Sequence, residues 1–269
     1  MRAGQDSSHS RPRGRKCMKV SICSTKAELG KKAAQNGANL IRNAIRSKGS
    51  ANIILATGAS QFEMLKALAL EEKILWNRVV VFHLDEYVGM PVTHPASFRL
   101  YLWQRFLRKL PLPVRAFHQI DAEKNPGAEC ERLSRLIRQH PIDVAFIGIG
   151  ENGHIAFNDP PADFKTTRPY IVVRLDEACR RQQLGEGWFR SLREVSKRAV
   201  SMSVRQIMKS KTIICSVPDQ RKAEPVQACL EGPVTSQAPG SILQRHRQAT
   251  VYLDRQSASR LNHSSITSR

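Results

Sequence analysis

The feature of this 269-residue chain that most constrains its fold is the alternation of short apolar runs with longer segments of helical periodicity. Continuous apolar residues, rather than alternating ones, are typical of strands that are buried on both faces, as in a parallel sheet. The alternation therefore predicts an α/β fold, in which helices cover both faces of a mostly parallel sheet. Strands are predicted at KVSIC (19–23), ANIILA (51–56), RVVVFHL (78–84), RAFHQI (115–120), IDVAFIGIG (142–150), YIVVRL (170–175), KTIICSV (211–217) and ATVYLD (249–254).

In the segments between these runs, apolar residues recur at the spacing of a helix. Helices are predicted over 25–47, 60–70, 97–110, 128–140 and 219–230. Ser60 is the expected N-cap of the second of them, because Glu63 follows three residues later in a capping-box pattern.

The charge of the chain is strongly unbalanced, with 43 Lys and Arg against 23 Asp and Glu and a net charge of +20. Much of the excess lies in residues 1–19 and 178–211. Residues 1–18 are poor in apolar side chains, so we expect a disordered basic tail there, a folded domain over 19–255 and a second tail over 256–269. A role in nucleic-acid binding would rest on charge alone, and the sequence argues against it. The basic residues of 178–211 are expected to form mainly a solvated face.

The sequence does not fit the class of membrane proteins or that of disulfide-rich proteins. No stretch reaches the roughly 18–20 consecutive apolar residues of a membrane span, and the N-terminus lacks the apolar core of a signal peptide. The six cysteines form no CxxC pair and are scattered, which argues against a disulfide framework or a zinc site. We therefore expect a cytoplasmic protein whose cysteines are mostly core residues.

Three polar or glycine-rich stretches directly follow predicted strands, at Thr57–Ser60, His83–Tyr87 and Gly148–Asp159. Ligands of parallel α/β sheets bind beyond the carboxyl ends of the strands. These stretches are therefore expected to lie together and to form a site.

The first stretch, Thr57, Gly58, Ala59 and Ser60, joins a strand to a helix, where backbone N–H groups and hydroxyls bind anions. It has neither the Walker A nor the GxGxxG spacing, and an ordinary tight turn is the alternative. Lys222 follows another strand and is a candidate phosphate ligand.

The other two stretches carry candidate proton-transfer groups. Asp85 and Glu86 should point to opposite sides of their strand, so at most one of them faces a ligand. Burial would tune that carboxylate as a base, although a cap of a loop or helix is the alternative. His154 is a candidate base near neutral pH, and Asp159 is positioned to orient its ring. The alternative is a histidine with a purely structural role.

Taken together, ATGAS, HLDEYVGMPVTHPASF, GIGENGHIAFNDP and RKAEPVQACLEGPV resemble the motifs of the glucosamine-6-phosphate deaminase family in order and approximate spacing. The resemblance covers about residues 19–255. It implies a Rossmann-like fold and a metal-free, cofactor-free conversion of glucosamine 6-phosphate to fructose 6-phosphate and ammonia. The implied partner is a sugar phosphate, and the oligomeric state stays open, a homo-oligomer included.

The resemblance also implies roles for single residues. Asp85 would carry a proton between C1 and C2 of the open-chain sugar, and His154 would assist ring opening. The phosphate would be held by Thr57–Ser60 and by Lys222.

Three positions depart from the family pattern. Asn152 and Asp159 stand where the family usually has Asp and Glu, so the usual acidic partner of the histidine is missing, and Glu151 is a candidate substitute. Gly187 stands where a phosphate-binding arginine usually precedes an aromatic pair, and Arg180 or Arg181 is the candidate replacement.

Two other functions remain open on these residues. One is hydrolysis of a 6-phosphogluconolactone. The sequence GHIAFN argues against it, because the lactonase-like pattern at that position is GHTASLF. The other is a non-catalytic sensor of sugar phosphates, which Asn152 keeps open.

Overall fold

The computed structural model describes residues 18–262, and the statements below concern that part of the chain. Most of the predicted N-terminal tail (residues 1–17) and residues 263–269 of the predicted C-terminal tail lie outside the described residues. Just beyond the last strand, Ser257 and Ala258 are buried.

The described residues form ten strands and seven helices. The strands are β1 (Lys19–Cys23), β2 (Ala51–Leu55), β3 (Val79–His83), β4 (Asp85–Tyr87), β5 (Ala116–His118), β6 (Val144–Ile147), β7 (Tyr170–Arg174), β8 (Arg198–Met202), β9 (Thr212–Val217) and β10 (Ala249–Asp254). The helices are α1 (Lys26–Lys48), α2 (Phe62–Ala69), α3 (Phe98–Arg105), α4 (Pro126–Arg138), α5 (Glu177–Gly185), α6 (Val204–Ile207) and α7 (Ala223–Leu230).

Seven of the strands form one central sheet in the order β1-β10-β9-β6-β2-β3-β5, and every pairing in it is parallel. The predicted α/β fold with a mostly parallel sheet is confirmed. The remaining strands form a small antiparallel sheet in the order β4-β8-β7. The predicted strand YIVVRL belongs to this second sheet, and β4 and β8 were not predicted.

Both faces of the central sheet are covered, which explains the continuous apolar runs. Along β2, Ile53 and Leu55 pack into the core that contains residues of α1 and α2, whereas Ile54 packs on the other face with residues of α4 and α7. Because successive side chains of a strand point to opposite faces, two covered faces require an apolar residue at every position.

The helix boundaries follow their caps in most cases, but one predicted cap is wrong. Ser97 caps α3, with its hydroxyl accepting from the N–H of Leu100. Ser60 does not cap α2, because a 3-10 turn over Ala59–Gln61 precedes that helix and Gln61 takes the cap position without a side-chain bond. The capping-box pattern predicts an N-cap from residue spacing alone and does not reveal that a 3-10 turn precedes the helix.

None of the helices within residues 18–262 combines the length and apolarity needed to cross a bilayer. All five cysteines in these residues are free and buried, as expected for core positions.

Candidate active site

A cleft opens at the carboxyl ends of β2, β3, β6 and β9, the four strands at the middle of the sheet. This is the position that parallel α/β sheets use for ligands. Six of the residues predicted from the sequence line it, namely Thr57, Gly58, Ser60, Asp85, His154 and Lys222. The cleft is also lined by Phe98, Gly148, Gly150, Phe157, Gln182, Gln183, Glu186 and Arg221.

The turn after β2 is held tightly against its neighbours. The side-chain amide of Gln61 lies 3.4 Å from the carbonyl oxygen of Ile147 and 3.3 Å from that of Ser216, which ties the turn to β6 and β9. A Cβ atom at Gly148 would lie 2.9 Å from Nε2 of Gln61, so only glycine permits this approach. The close packing fixes the position of the Thr57–Ser60 backbone at one end of the cleft.

Asp85 and Glu86 face different surroundings, as the strand geometry predicts. Asp85 is buried and lines the cleft. Glu86 is directed away and acts as a structural acceptor. Its carboxylate accepts from the N–H groups of Tyr87, Phe98 and Arg99 and from the hydroxyl of Ser97. Only Asp85 is therefore free to act on a ligand.

Burial, together with the negative charges of Glu86 and Glu186, raises the pKa of Asp85 to about 8. A carboxyl group with a pKa in this range can both accept and donate a proton near neutral pH. Asp85 is only 6% exposed, and a carboxyl group removed from water in this way favours its neutral form.

His154 reaches the cleft from the loop after β6, with Asp159 behind it. Nδ1 of His154 lies 3.2 Å from Oδ1 of Asp159, and the opposite edge of the ring packs against Gly150, which also lines the cleft. Burial alone would raise the pKa of Asp159, but the imidazole, the amide of Asn152 and the N–H of Asp176 hold it below its ordinary value. Asp159 therefore lies beside the imidazole, where the orienting role predicted for it would place it.

Asn152 supports this pair from a position outside the cleft lining. Its side-chain amide donates to Oδ1 of Asp159 at 3.1 Å and to Oδ2 of Asp176 at 3.3 Å, and its oxygen accepts from the N–H of His154. A neutral amide fits between two carboxylates, whereas an aspartate would place a third negative charge there. Asp176, which accepts from Asn152, is also the N-cap of α5.

His154, Asp159 and Cys179 place potential metal-ligand atoms within 4.8 Å of one another. Burial and the neighbouring Asp159 raise the pKa of Cys179 far above its ordinary value, so its thiol stays protonated. Metals bind the thiolate rather than the thiol. A metal bound there would have to displace the proton of the Cys179 thiol.

Lys222 lines the cleft from the segment after β9 and is only 3% exposed. Burial lowers its pKa to about 8, while the negative charges of Glu151 and Glu186 work against that shift. The carboxylate of Glu151 lies 3.0 Å from Nη1 of Arg221. Glu151 was a candidate partner of the histidine, but the structure pairs it with Arg221 instead.

The arginines predicted to replace the family's phosphate ligand lie elsewhere. The guanidinium of Arg180 donates to the backbone carbonyl groups of Leu192 and Val195, and Arg181 pairs with Glu177 on the surface of α5. Neither residue is among those that line the cleft in the described part of the chain. The cleft arginine is Arg221, which directly precedes Lys222.

Sequence reasoning missed the contribution of α5 to the cleft. Gln182 accepts from the N–H of Glu151 at 2.8 Å, and Gln183 accepts from the hydroxyl of Tyr87 at 2.6 Å. Glu186 follows them at the C-terminus of the helix. The signal in the sequence was the spacing of Gln182, Gln183 and Glu186, which places the three side chains near one another on the helix surface. The basic residues of the same segment predicted a solvated face instead.

Comparison with known proteins agrees with this arrangement. Residues 24–252 match the family described as glucosamine-6-phosphate isomerases/6-phosphogluconolactonase. A glucosamine-6-phosphate deaminase of Oenococcus oeni is 33% identical over 245 residues, which cover 91% of this chain and 99% of that protein. Glucosamine-6-phosphate deaminase 1 of Bacillus subtilis is 34% identical over 247 residues, covering 90% of this chain and 99% of that protein.

Solved structures show the same fold. A monomeric glucosamine-6-phosphate deaminase superimposes with a TM-score of 0.80 at 33% identity, over 90% of this chain and 99% of that one. A 6-phosphogluconolactonase of Thermotoga maritima superimposes with a TM-score of 0.72 at 17% identity, over 88% and 99% of the two chains. The second similarity is one of fold alone.

Proposed function

Since this chain belongs to the family of glucosamine-6-phosphate isomerases and 6-phosphogluconolactonases, we propose that it converts glucosamine 6-phosphate to fructose 6-phosphate and ammonia. The observation that carries the proposal is the buried carboxyl group of Asp85, with a pKa of about 8, in a cleft that also holds His154 and Lys222. Relatives that are 33–34% identical over nearly their whole length bear the name of this activity.

In the proposed reaction Asp85 is the proton carrier. Its carboxylate removes the proton from C2 of the open-chain sugar and returns it to C1. The C1 oxygen gains a proton and the C2 amino group loses one, so the amino aldose becomes a C2 imine with a hydroxyl group at C1. Water adds to the imine, and ammonia leaves from the resulting carbinolamine. This relay of protons needs no cofactor, and a base whose pKa is near the working pH suits both halves of the transfer.

His154 serves ring opening, the step that precedes proton transfer. One ring nitrogen faces Asp159, so the other is directed to exchange a proton with the ring oxygen or the C1 hydroxyl of the cyclic sugar. In this proposal Asp159 and Asn152 are positioning residues, because they hold the imidazole and lie behind it.

The phosphate is assigned to the end of the cleft that Thr57–Ser60 and Lys222 form. Backbone N–H groups at a turn that enters a helix, hydroxyl groups and an ammonium group are the donors that bind phosphate in proteins. Lys222 supplies the charge, and Thr57 and Ser60 supply hydroxyls at the cleft surface.

The direct test is to incubate the purified protein with glucosamine 6-phosphate and to measure ammonia and fructose 6-phosphate. The same protein is assayed with a 6-phosphogluconolactone, and binding of fructose 6-phosphate is measured separately. Lactone hydrolysis without ammonia release would support the hydrolase instead. Tight binding without turnover of either substrate would support a sensor.

The pH dependence of kcat/KM should be a bell centred near pH 8. Asp85 must lose its proton to act as a base, so activity rises as the pH rises towards its pKa of about 8. Lys222 must keep its proton to bind phosphate, so activity falls as the pH rises above its pKa of about 8. Initial rates from pH 5.5 to 9.5 at constant ionic strength measure this, and a profile that is flat between pH 6.5 and 9 would contradict it.

Gly150 leaves the space that the imidazole of His154 occupies. A Cβ atom at position 150 would lie 2.3 Å from both Cε1 and Nε2 of that ring. Gly150→Ala should therefore displace the ring and lower kcat by about 10²-fold, as expected when a general acid–base group is lost. Gly127→Ala is the matched control, since its Cβ would meet nothing closer than 3.6 Å. Equal activity of the two variants would rule out the assigned role of His154.

We also propose that the protein works in the cytoplasm. The five cysteines within residues 18–262 are free and buried, which suits a reducing compartment. Fluorescence microscopy of the tagged full-length chain tests this.

A further inference from the structure

Glu186 is the one acidic side chain that enters the phosphate end of the cleft from α5. It forms the C-cap of that helix, and its N–H bonds to the carbonyl oxygen of Gln182. Gly187 follows with a φ of +84°, which ends the helix and turns the chain away. The carboxylate is therefore directed inwards and lines the cleft with Gln182 and Gln183.

The carboxylate of Glu186 lies against the anion-binding turn. A Cβ atom added to Gly58 would be 3.5 Å from Oε1 and 3.7 Å from Oε2 of Glu186. A hydrogen-bonding interaction with the N–H of Ala59 favours the charged form of the glutamate. The side chain thus occupies the space directly in front of the turn assigned to the phosphate.

The cations of the cleft act on the same carboxylate. Burial raises the pKa of Glu186, whereas the positive charges of Lys222 and Arg221 oppose that shift. Among the described residues, Oε2 of Glu186 is buried and has no hydrogen-bond partner. A buried carboxylate oxygen without a donor is unfavourable. The N–H of Ala59 and the side chain of Gln182 interact with the carboxylate, but Oε2 itself gains no donor.

We infer that Glu186 is a specificity-determining residue that competes with the substrate's phosphate for the Thr57–Ser60 turn and Lys222. The inference rests on the proposed function, which assigns these groups to the phosphate. Two anions in one partly dehydrated site repel each other strongly. Binding of a phosphate dianion therefore requires the carboxylate to withdraw or to take up a proton. The charge at position 186 sets the affinity of the cleft for phosphorylated sugars.

The test is the affinity of the full chain for sulfate, a dianion that does not titrate between pH 6 and 9, measured by calorimetry at low ionic strength. Glu186→Gln keeps the shape of the side chain and removes its charge. We expect sulfate and fructose 6-phosphate to bind at least tenfold more tightly to this variant than to the unmodified protein. Fructose, which has no phosphate, should bind equally to both.

The matched control is Glu177→Gln, which removes a charge from the exposed surface of the same helix, where Glu177 pairs with Arg181. Its affinities should equal those of the unmodified protein. Glu186→Ala provides a second neutral variant in case the glutamine variant does not fold. Unchanged or weaker sulfate binding by the neutral variants would overturn the inference, because it would show that the carboxylate does not compete.

The outcome separates this inference from the proposed function. Equal sulfate affinities together with ammonia release from glucosamine 6-phosphate would reject competition by Glu186 and leave the deaminase proposal standing. Tighter sulfate binding by the Glu186→Gln variant, with no ammonia release by the unmodified protein, would support the competition and reject the deaminase proposal.

Discussion

Asp85→Asn is expected to lower kcat for ammonia release from glucosamine 6-phosphate by about 10³-fold or more, because the amide cannot carry the proton between C2 and C1. Substrate binding should change little, since the carboxyl group acts on the reacting carbons and not on the phosphate. Asp163→Asn, which removes an exposed carboxylate outside the cleft, is the control. A variant at position 85 that retains more than a tenth of the activity would exclude Asp85 as the proton carrier.

The same substitution should stabilise the fold at high pH. The pKa of Asp85 is about 8 in the folded protein, against an ordinary value near 4. Between about pH 4 and pH 8 the carboxyl group of Asp85 is ionised in the unfolded chain but still protonated in the folded protein. The free energy of unfolding of the wild-type protein therefore falls as the pH rises from about 4 to about 8. Asn carries no charge, and Asp85→Asn should gain on the order of 1–3 kcal/mol at pH 8.

Thermal unfolding measures this gain. At about 2–4 °C per kcal/mol, the melting temperature of the Asp85→Asn variant should exceed that of the wild type by several degrees at pH 8 and approach it at pH 4. An inactive variant that is also less stable at pH 8 would indicate a disrupted fold, so the loss of activity could not be assigned to chemistry. The linkage therefore separates a catalytic from a structural effect.

Lys222→Met is expected to lower kcat/KM for glucosamine 6-phosphate by about 10²-fold, because a charge-assisted contact to the phosphate is lost. The methionine fills a similar volume, and Lys222 is buried with a lowered pKa, so the fold should not lose stability. Most of the effect should appear as a higher KM and as weaker binding of sulfate.

The control for this variant is Lys209→Met, which removes a charge at an exposed position. Binding of unphosphorylated fructose gives a second comparison, since it should be unaffected by either substitution. If Lys222→Met weakened fructose and fructose 6-phosphate equally, the lysine would contact the sugar rather than the phosphate.

The anion turn, the base and the histidine could be predicted because each follows directly on a strand. A buried strand is visible as an apolar run, and parallel strands bring their carboxyl ends to one edge. Thr57, Asp85 and His154 lie 28 to 97 positions apart along the chain and line one cleft. That convergence needed only the order of the strands and their common direction.

Contacts within the loops could not be predicted in this way. Arg180 and Arg181 matched the expected charge, but α5 turns them towards the backbone of 192–195 and towards solvent. Ser60 matched a capping pattern, but a 3-10 turn moves the helix start to Phe62. Both errors arise where a shift of one or two residues rotates a side chain by 100° or more, which charge and spacing do not reveal.

By itself, the sequence determined that this protein is a parallel α/β domain in which Thr57–Ser60, Asp85 and His154 meet at one edge of the sheet. Hydrophobic periodicity carries that information because burial acts on every residue of a strand. Only the tertiary structure decided which charges share the cleft. It places Glu186 before the Gly58 turn, Asn152 between Asp159 and Asp176, and Asp85 in a buried position in the cleft. These are pairings over short distances between remote segments, and electrostatic energies depend on such distances and on burial, which the chain acquires only on folding.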